Sequence, residues 1–170
     1  MTLPDPAAIE ARVRAAVTAT GVEHEFVDCD PDLADTAAFC EAYGYAPEDS
    51  ANTILVASKG DEPTVVACVV LATHRLDVNK TVRKRMGVRK ASFAPADLTV
   101  ERTGMLIGGV TPFGLPDDLE IWIDQRVVER DRIILGGGSR SCKVYGPPAL
   151  LTALSTASVV EGLALEPASP

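Results

Sequence analysis

Apolar positions recur along this chain at two spacings, one helical and one alternating, and the switches between them divide it into elements. From Pro6 to Thr20, Ile9, Val13 and Val17 fall on one helical face, with Asp5 placed to cap and Pro6 at the first helical position. Gly21 ends that pattern. Val22 to Asp28 then alternates Val22, His24 and Phe26 against Glu23 and Glu25, which predicts a strand. Asp35 or Thr36 can cap a short helix in which Phe39, Cys40 and Tyr43 share a face before Gly44. Two β-branched runs, Thr53 to Ala57 and Thr64 to Ala72, flank the turn-like SKGDEP and predict a buried hairpin. Asp77 can cap a helix over Val78, Val82 and Met86 that Gly87 stops, and Val88 to Phe93 predicts a short strand.

Pro95 opens a further helix that ends at Gly104. Strands are expected at Leu119 to Asp124, Arg132 to Leu135 and Cys142 to Tyr145, with a last helix from Pro147 and a tail, EGLALEPASP, that frays after a final apolar contact. Hairpins mixed with helical crossovers favour a mixed α/β fold, its β-sheet either open or closed and surrounded by helices. The 170 residues suit a single domain, with its core over about 22–154, an N-terminal helix over 6–20 and a C-terminal tail over 155–170.

Gly104 to Pro116, GMLIGGVTPFGLP, fits neither period. Its glycines and prolines spoil helix and strand interiors, while Met105, Leu106, Ile107, Val110, Phe113 and Leu115 are too apolar for a solvated linker. A packed irregular loop follows, serving either as a pocket wall or as a tight connection. A second backbone-exposing turn, Gly136-Gly137-Gly138-Ser139-Arg140, leaves the strand Ile133-Ile134-Leu135.

No apolar stretch is long enough to cross a bilayer, and the N-terminus lacks the basic-then-apolar order of a signal peptide. Cys29, Cys40, Cys68 and Cys142 are scattered without a C-x-x-C pair, which argues against zinc, and Cys40 and Cys68 sit inside apolar patterns as buried thiols of a cytoplasmic protein, while the pattern leaves Cys29 and Cys142 open. The net charge of −8 disfavours non-specific nucleic-acid binding. Between His74 and Lys90, however, Arg75, Lys80, Arg83, Lys84, Arg85, Arg89 and Lys90 face a single acid, Asp77. Such a stripe either grips a phosphate backbone or is a solvated helix face.

No nucleophile elbow, H-E-x-x-H helix, Walker phosphate loop or dinucleotide fingerprint occurs. The chemistry left is that of two glycine loops, the hydroxyls of Thr111 and Ser139, and Asp124 at a strand end. Loop N–H groups could stabilise an oxyanion while a water or the substrate supplied the nucleophile.

GGVTPFG followed by GGGSR, together with ANTILVAS and LDVNKTVRKRMGVRKASFA, resembles the YbaK/EbsC family and the related editing domain of bacterial prolyl-tRNA synthetases. The likeness covers roughly Val22 to Leu154. It implies a barrel-like α/β fold and hydrolysis of the ester of mischarged aminoacyl-tRNA, with the tRNA acceptor end as partner, an association with the translation machinery, and neither cofactor nor metal. The oligomeric state is left open.

By the same resemblance Gly108, Gly109, Thr111, Pro112, Phe113 and Gly114 would form one pocket wall, and Gly137, Gly138 and Ser139 another. Phe113 would supply either apolar contact to the ligand or core packing. Thr111 and the loop amides would orient the ester carbonyl, and Asp124 would buttress the pocket or meet the α-ammonium. Where the family carries a strand lysine, this chain has Asn52, which would bond the terminal ribose or ammonium without charge. That difference is worth about 1.5 to 3 kcal/mol of charge-assisted bonding. Lys80, at a basic helix position of the family, is the candidate to replace the charge. The alternative is a binding module for an aminoacyl group, nucleotide or tRNA end that has lost hydrolysis.

Overall fold

The computed structural model describes residues 3–167. Helix α1 (Pro6–Ala19) is capped by Asp5, whose carboxylate accepts the Ala7 N–H at 3.2 Å, and it buries Ile9, Val13 and Val17. Strand β1 (Glu25–Asp28) leads through a 3-10 turn to α2 (Thr36–Tyr43), which stops at Gly44 in the left-handed conformation. The expected hairpin follows as β2 (Ala51–Ser58) and β3 (Val65–Leu71), paired antiparallel from Ala51↔Leu71 to Ala57↔Val65.

A short strand, β4 (Arg75–Leu76), precedes a π-helical turn over Val78–Val82 that continues as α3 (Arg83–Met86). The Asp77 carboxylate caps this turn by accepting from the Thr81 N–H at 3.3 Å and hydroxyl at 2.8 Å. Next come β5 (Ala91–Phe93), α4 (Ala96–Thr103), the irregular loop, β6 (Ile121–Asp124) and α5 (Gln125–Val128). Then β7 (Ile133–Gly136), β8 (Cys142–Gly146), α6 (Ala149–Thr152), β9 (Ala157–Val160) and β10 (Ala164–Leu165) complete the order.

The main sheet runs β5-β2-β3-β6-β9, antiparallel around β2 and parallel on both sides of β6. A second, antiparallel sheet runs β1-β8-β7, and β10 pairs with β4. The mixed α/β class is therefore present, but among the described residues the sheets do not close into a barrel. The main sheet ends at two unpaired edge strands, β5 and β9, and an isolated bridge from Ser50 to Ile134 links it to the second sheet.

Every residue of β3 is buried because both faces of the main sheet are covered. Leu55, Ala67 and Val69 face a core shared with α1, β7, β8, Phe113 and Leu150. Val56, Val66, Cys68 and Val70 face the opposite cluster of Val78, Val82, Trp122 and Leu163. Each such fully buried aliphatic side chain contributes about 1.5 to 3 kcal/mol.

The final apolar contact expected of the tail is made by Leu163, and β10 just beyond it pairs with β4, so order extends through Leu165; the sequence pattern also left β9 unassigned. β9 pairs parallel with β6, and Leu163 is fully buried. A parallel partner is reached by a crossover and leaves no local turn signal, which is why the sequence pattern missed it. Residues 168–170 of the expected tail, like 1 and 2, lie outside the described residues.

Candidate functional site

The outer edge of β2 is covered by β5 from Val56 to Ser58 and touched by Ile134 at Ser50. Between these points the strand borders a cavity of about 360 Å³. Asn52 and Thr53 of β2 form its floor, Asp35, Thr36 and Phe39 of the α2 end one wall, and Ile107, Gly108 and Val110 of the first glycine loop another. Gly136 of β7 and Lys143 of β8 close the side toward the second sheet, and Phe93 lies at the β5 side.

Two polar side chains here are tied to the same short segment. The Thr36 hydroxyl donates to Asn52 Oδ1 at 3.1 Å, and Lys143 Nζ donates to the Ala34 carbonyl at 2.8 Å. Arg140 steadies that segment from outside, donating to the Pro31 carbonyl at 3.0 Å and pairing with Asp35 at 3.4 Å. Lys143 is 9 % exposed, and its ammonium stands 5.1 Å from the centroid of the Phe39 ring. Burial pushes its pKa below the usual lysine value, partly offset by Cys29 and Cys40. The Thr53 hydroxyl is buried without a partner among the described residues. Burial also raises the thiols of Cys29, Cys40, Cys68 and Cys142, all four free and buried, and carries Cys68 to about 12.

Of the residues singled out by sequence, Asn52 and Gly108 lie on this cavity. The two glycine loops do meet, but directly and not across a hollow. Gly138 N–H donates to the Gly109 carbonyl at 2.7 Å, and a Cβ on Gly109 would overlap the Ser139 backbone. Gly138, at φ +96°, leaves no room between itself and Ile9 and Val13 of α1. These glycines serve close packing of backbone on backbone and backbone on helix.

Thr111, Pro112 and Phe113 are buried away from the cavity, with the Thr111 hydroxyl unpartnered among the described residues and Phe113 in the main core. Gly114 lies against Arg12, and Gly137 against Cys142. The Ser139 hydroxyl donates to the Glu10 carboxylate. Asp124, 1 % exposed, accepts the Ala164 N–H at 3.2 Å and so holds the C-terminal strand. Lys80 is exposed on the π-helical turn and is not a lining residue of the cavity.

Sequence reading missed Lys143. The available signal was a lysine inside the otherwise apolar run CKVY, where a charge on a buried strand demands a reason.

The basic stripe is heterogeneous. Arg83 is spent on the Asn79 and Val88 carbonyls, and Arg85 lies 5.0 Å from the Trp122 ring centroid. Arg75, Lys80, Lys84, Arg89 and Lys90 are exposed and, among the described residues, have no ion-pair partner. Phe93, 57 % exposed, borders both the main cavity and a second one lined by Arg75, Asn79 and Ser92. Among the described residues no three His, Cys, Asp or Glu side chains converge as a metal site, and no helix is long and apolar enough to span a membrane.

Comparison with known proteins places this geometry among relatives. The family model described as aminoacyl-tRNA editing domain matches residues 30–154. The uncharacterized protein YwhH of Bacillus subtilis (strain 168) is 26 % identical over 147 residues, spanning 86 % of this chain and 91 % of that protein. A crystal structure described as a candidate trans-editing enzyme for prolyl tRNA synthetase superposes with a TM-score of 0.77 at 22 % identity, covering 92 % of this chain and 96 % of that one. The hypothetical protein APE2540 superposes with a TM-score of 0.79 at 23 % identity, over 91 % and 99 % of the two chains.

Proposed function

From the premise that this chain belongs to the aminoacyl-tRNA editing domain family, we propose that it hydrolyses the ester joining a mischarged amino acid to the 3′ end of its tRNA. The observation that supports this reading best is the cavity at the uncovered edge of β2, sized for an aminoacyl group and floored by Asn52 and Thr53. In an antiparallel ladder a residue turns both its N–H and its C=O to the same side. Leu55 turns its carbonyl toward β5, so Thr53, two residues earlier, turns its main chain to the uncovered edge. That edge can orient the α-ammonium or the ester carbonyl by main-chain hydrogen bonds.

In the reaction a water oxygen attacks the ester carbonyl carbon, and the tetrahedral oxyanion collapses with loss of the ribose oxygen. That oxygen takes up a proton, leaving free amino acid and tRNA. The neighbouring ribose hydroxyl of the tRNA can stand in for a protein base in activating the water. Asn52, held by Thr36, bonds the ribose or the ammonium. The first glycine loop reaches the acyl group through Gly108 and Val110, while Thr111, Ser139 and Asp124 act by holding the frame. Outside the cavity, the exposed face of Phe93 offers a stacking surface for the terminal base, and the exposed Arg75 lines a second hollow together with it. Such a protein works beside the translation machinery of the cytoplasm.

The test is a panel of mischarged tRNAs incubated with purified protein. Release above the spontaneous rate for at least one amino acid is expected, and Asn52→Lys raises it. Saturable binding with no turnover on any tRNA would instead assign the chain to a binding module.

A further inference from the structure

Among the described residues, Lys143 is the one cationic side chain on the cavity wall. Its carboxylate neighbour in the wall, Asp35, points its charge at Arg140, and among the described residues no carboxylate lies within ion-pair distance of the Lys143 ammonium. An ammonium carries three donors, and the Ala34 carbonyl takes one of them. Burying a charge with donors left over is costly unless something answers it. The Phe39 ring face answers in part. The remaining demand is for an acceptor oxygen, and the open volume beside the ammonium is the cavity.

Placement supports the same conclusion. Lys143 and Asn52 are moored to Ala34 and Thr36 of one segment, so the two side chains are held in register with each other across the site. A lysine with a purely structural duty toward the Ala34 carbonyl would not need to line the hollow.

We propose that Lys143 is a catalytic residue of this site, donating to the carbonyl oxygen of the bound aminoacyl ester and stabilising the negative charge that gathers there as water adds. The inference rests on the deacylase reading above and names its electrostatic partner. Lys143 transfers no proton: the bond made is from the water oxygen to the acyl carbon, the bond broken is from that carbon to the ribose oxygen, and the ammonium is unchanged at the end.

The depressed Lys143 pKa adds a signature. Activity needs the ammonium, so kcat falls as pH rises through a value below that of an ordinary lysine. Around the ammonium stand Cys29, Cys40, Arg140 and Asp35. Burial keeps both thiols above their usual range, and a Cys29→Ala, Cys40→Ala double variant retains the fall.

The experiment measures kcat, KM and the pH profile for wild type, Lys143→Met and Lys143→Arg on the mischarged tRNA turned over fastest. Loss of one oxyanion donor predicts a drop in kcat of about 100- to 1000-fold for Lys143→Met, with a smaller change in KM. Lys143→Arg keeps part of kcat and loses the alkaline fall, because a guanidinium stays charged. The melting curve and circular dichroism of each variant establish that it is folded. A folded Lys143→Met with wild-type kcat overturns the proposal, as does equal impairment of both variants with the alkaline fall unmoved.

Should the wild type hydrolyse none of the tRNAs, the deacylase reading fails on its own. Lys143 is then tested by binding of amide-linked aminoacyl-adenosines, which carry the same carbonyl. Weakening by about tenfold or more in Lys143→Met, the loss of a charge-assisted hydrogen bond, supports its role as the carbonyl's donor. Equal binding, or none by the wild type, overturns it.

Discussion

Thr111 and Thr53 are both threonines with a buried, unpartnered hydroxyl among the described residues, and they differ in what lies beside them. Thr53 lines the cavity, whereas Thr111 is enclosed in the packed loop. A buried hydroxyl without a partner costs about 1 to 3 kcal/mol, and a methyl in its place does not. Thr111→Val should therefore unfold at the same or a higher urea concentration, and its deacylation rate should stay within about twofold of wild type. A large loss of rate without loss of stability would return Thr111 to the chemistry. Asn52 is the converse case, since its amide oxygen already accepts from Thr36 and its amide nitrogen remains for the ligand.

At the scale of elements, the cavity exists because three neighbours of β2 stop short of one another. β5 pairs only with the far end of β2, β7 reaches it only at Ser50, and the first glycine loop fills the interval only as far as Gly108 and Val110. The loop is fixed by its seam with the second one, where the Gly109 carbonyl accepts from Gly138 and the Gly138 carbonyl accepts from the Leu106 N–H at 3.3 Å. Gly109→Ala drives a methyl into the Ser139 backbone, which cannot swing aside as a side chain could. It should cost about 1 to 3 kcal/mol in urea unfolding, with a loss of deacylation because Gly108 and Val110 move with the seam. Wild-type stability in this variant would mean that the loops tolerate separation.

Over the whole molecule, an acidic body with a net charge of −8 carries a patch of exposed cations between Arg75 and Lys90 that have no ion-pair partner among the described residues, and Arg75 shares a hollow with the exposed Phe93 ring. If tRNA lies along that patch, Lys84→Ala and Lys90→Ala each reduce the slope of log affinity against log salt by about 0.7 to 0.9. Unchanged slopes in filter binding would make the patch a solvated face. Arg83 is unsuited to this test, because its guanidinium bonds the Asn79 and Val88 carbonyls and its removal strikes the helix first. Sequence by itself determined what local forces control: α1 with its Asp5 cap, the β2–β3 hairpin, the Asp77 cap, the glycine stops and the irregular character of residues 104–116. It also carried the family likeness and the place of Asn52. Only the tertiary structure decided that the glycine loops seal against each other and α1, that the sheets stay open, and that residues 157–160 pair with β6. It alone brought Lys143 to the wall beside Asn52. Periodicity reports which face a residue presents, whereas a cavity is the space left where elements remote in sequence fail to meet, and that depends on packing.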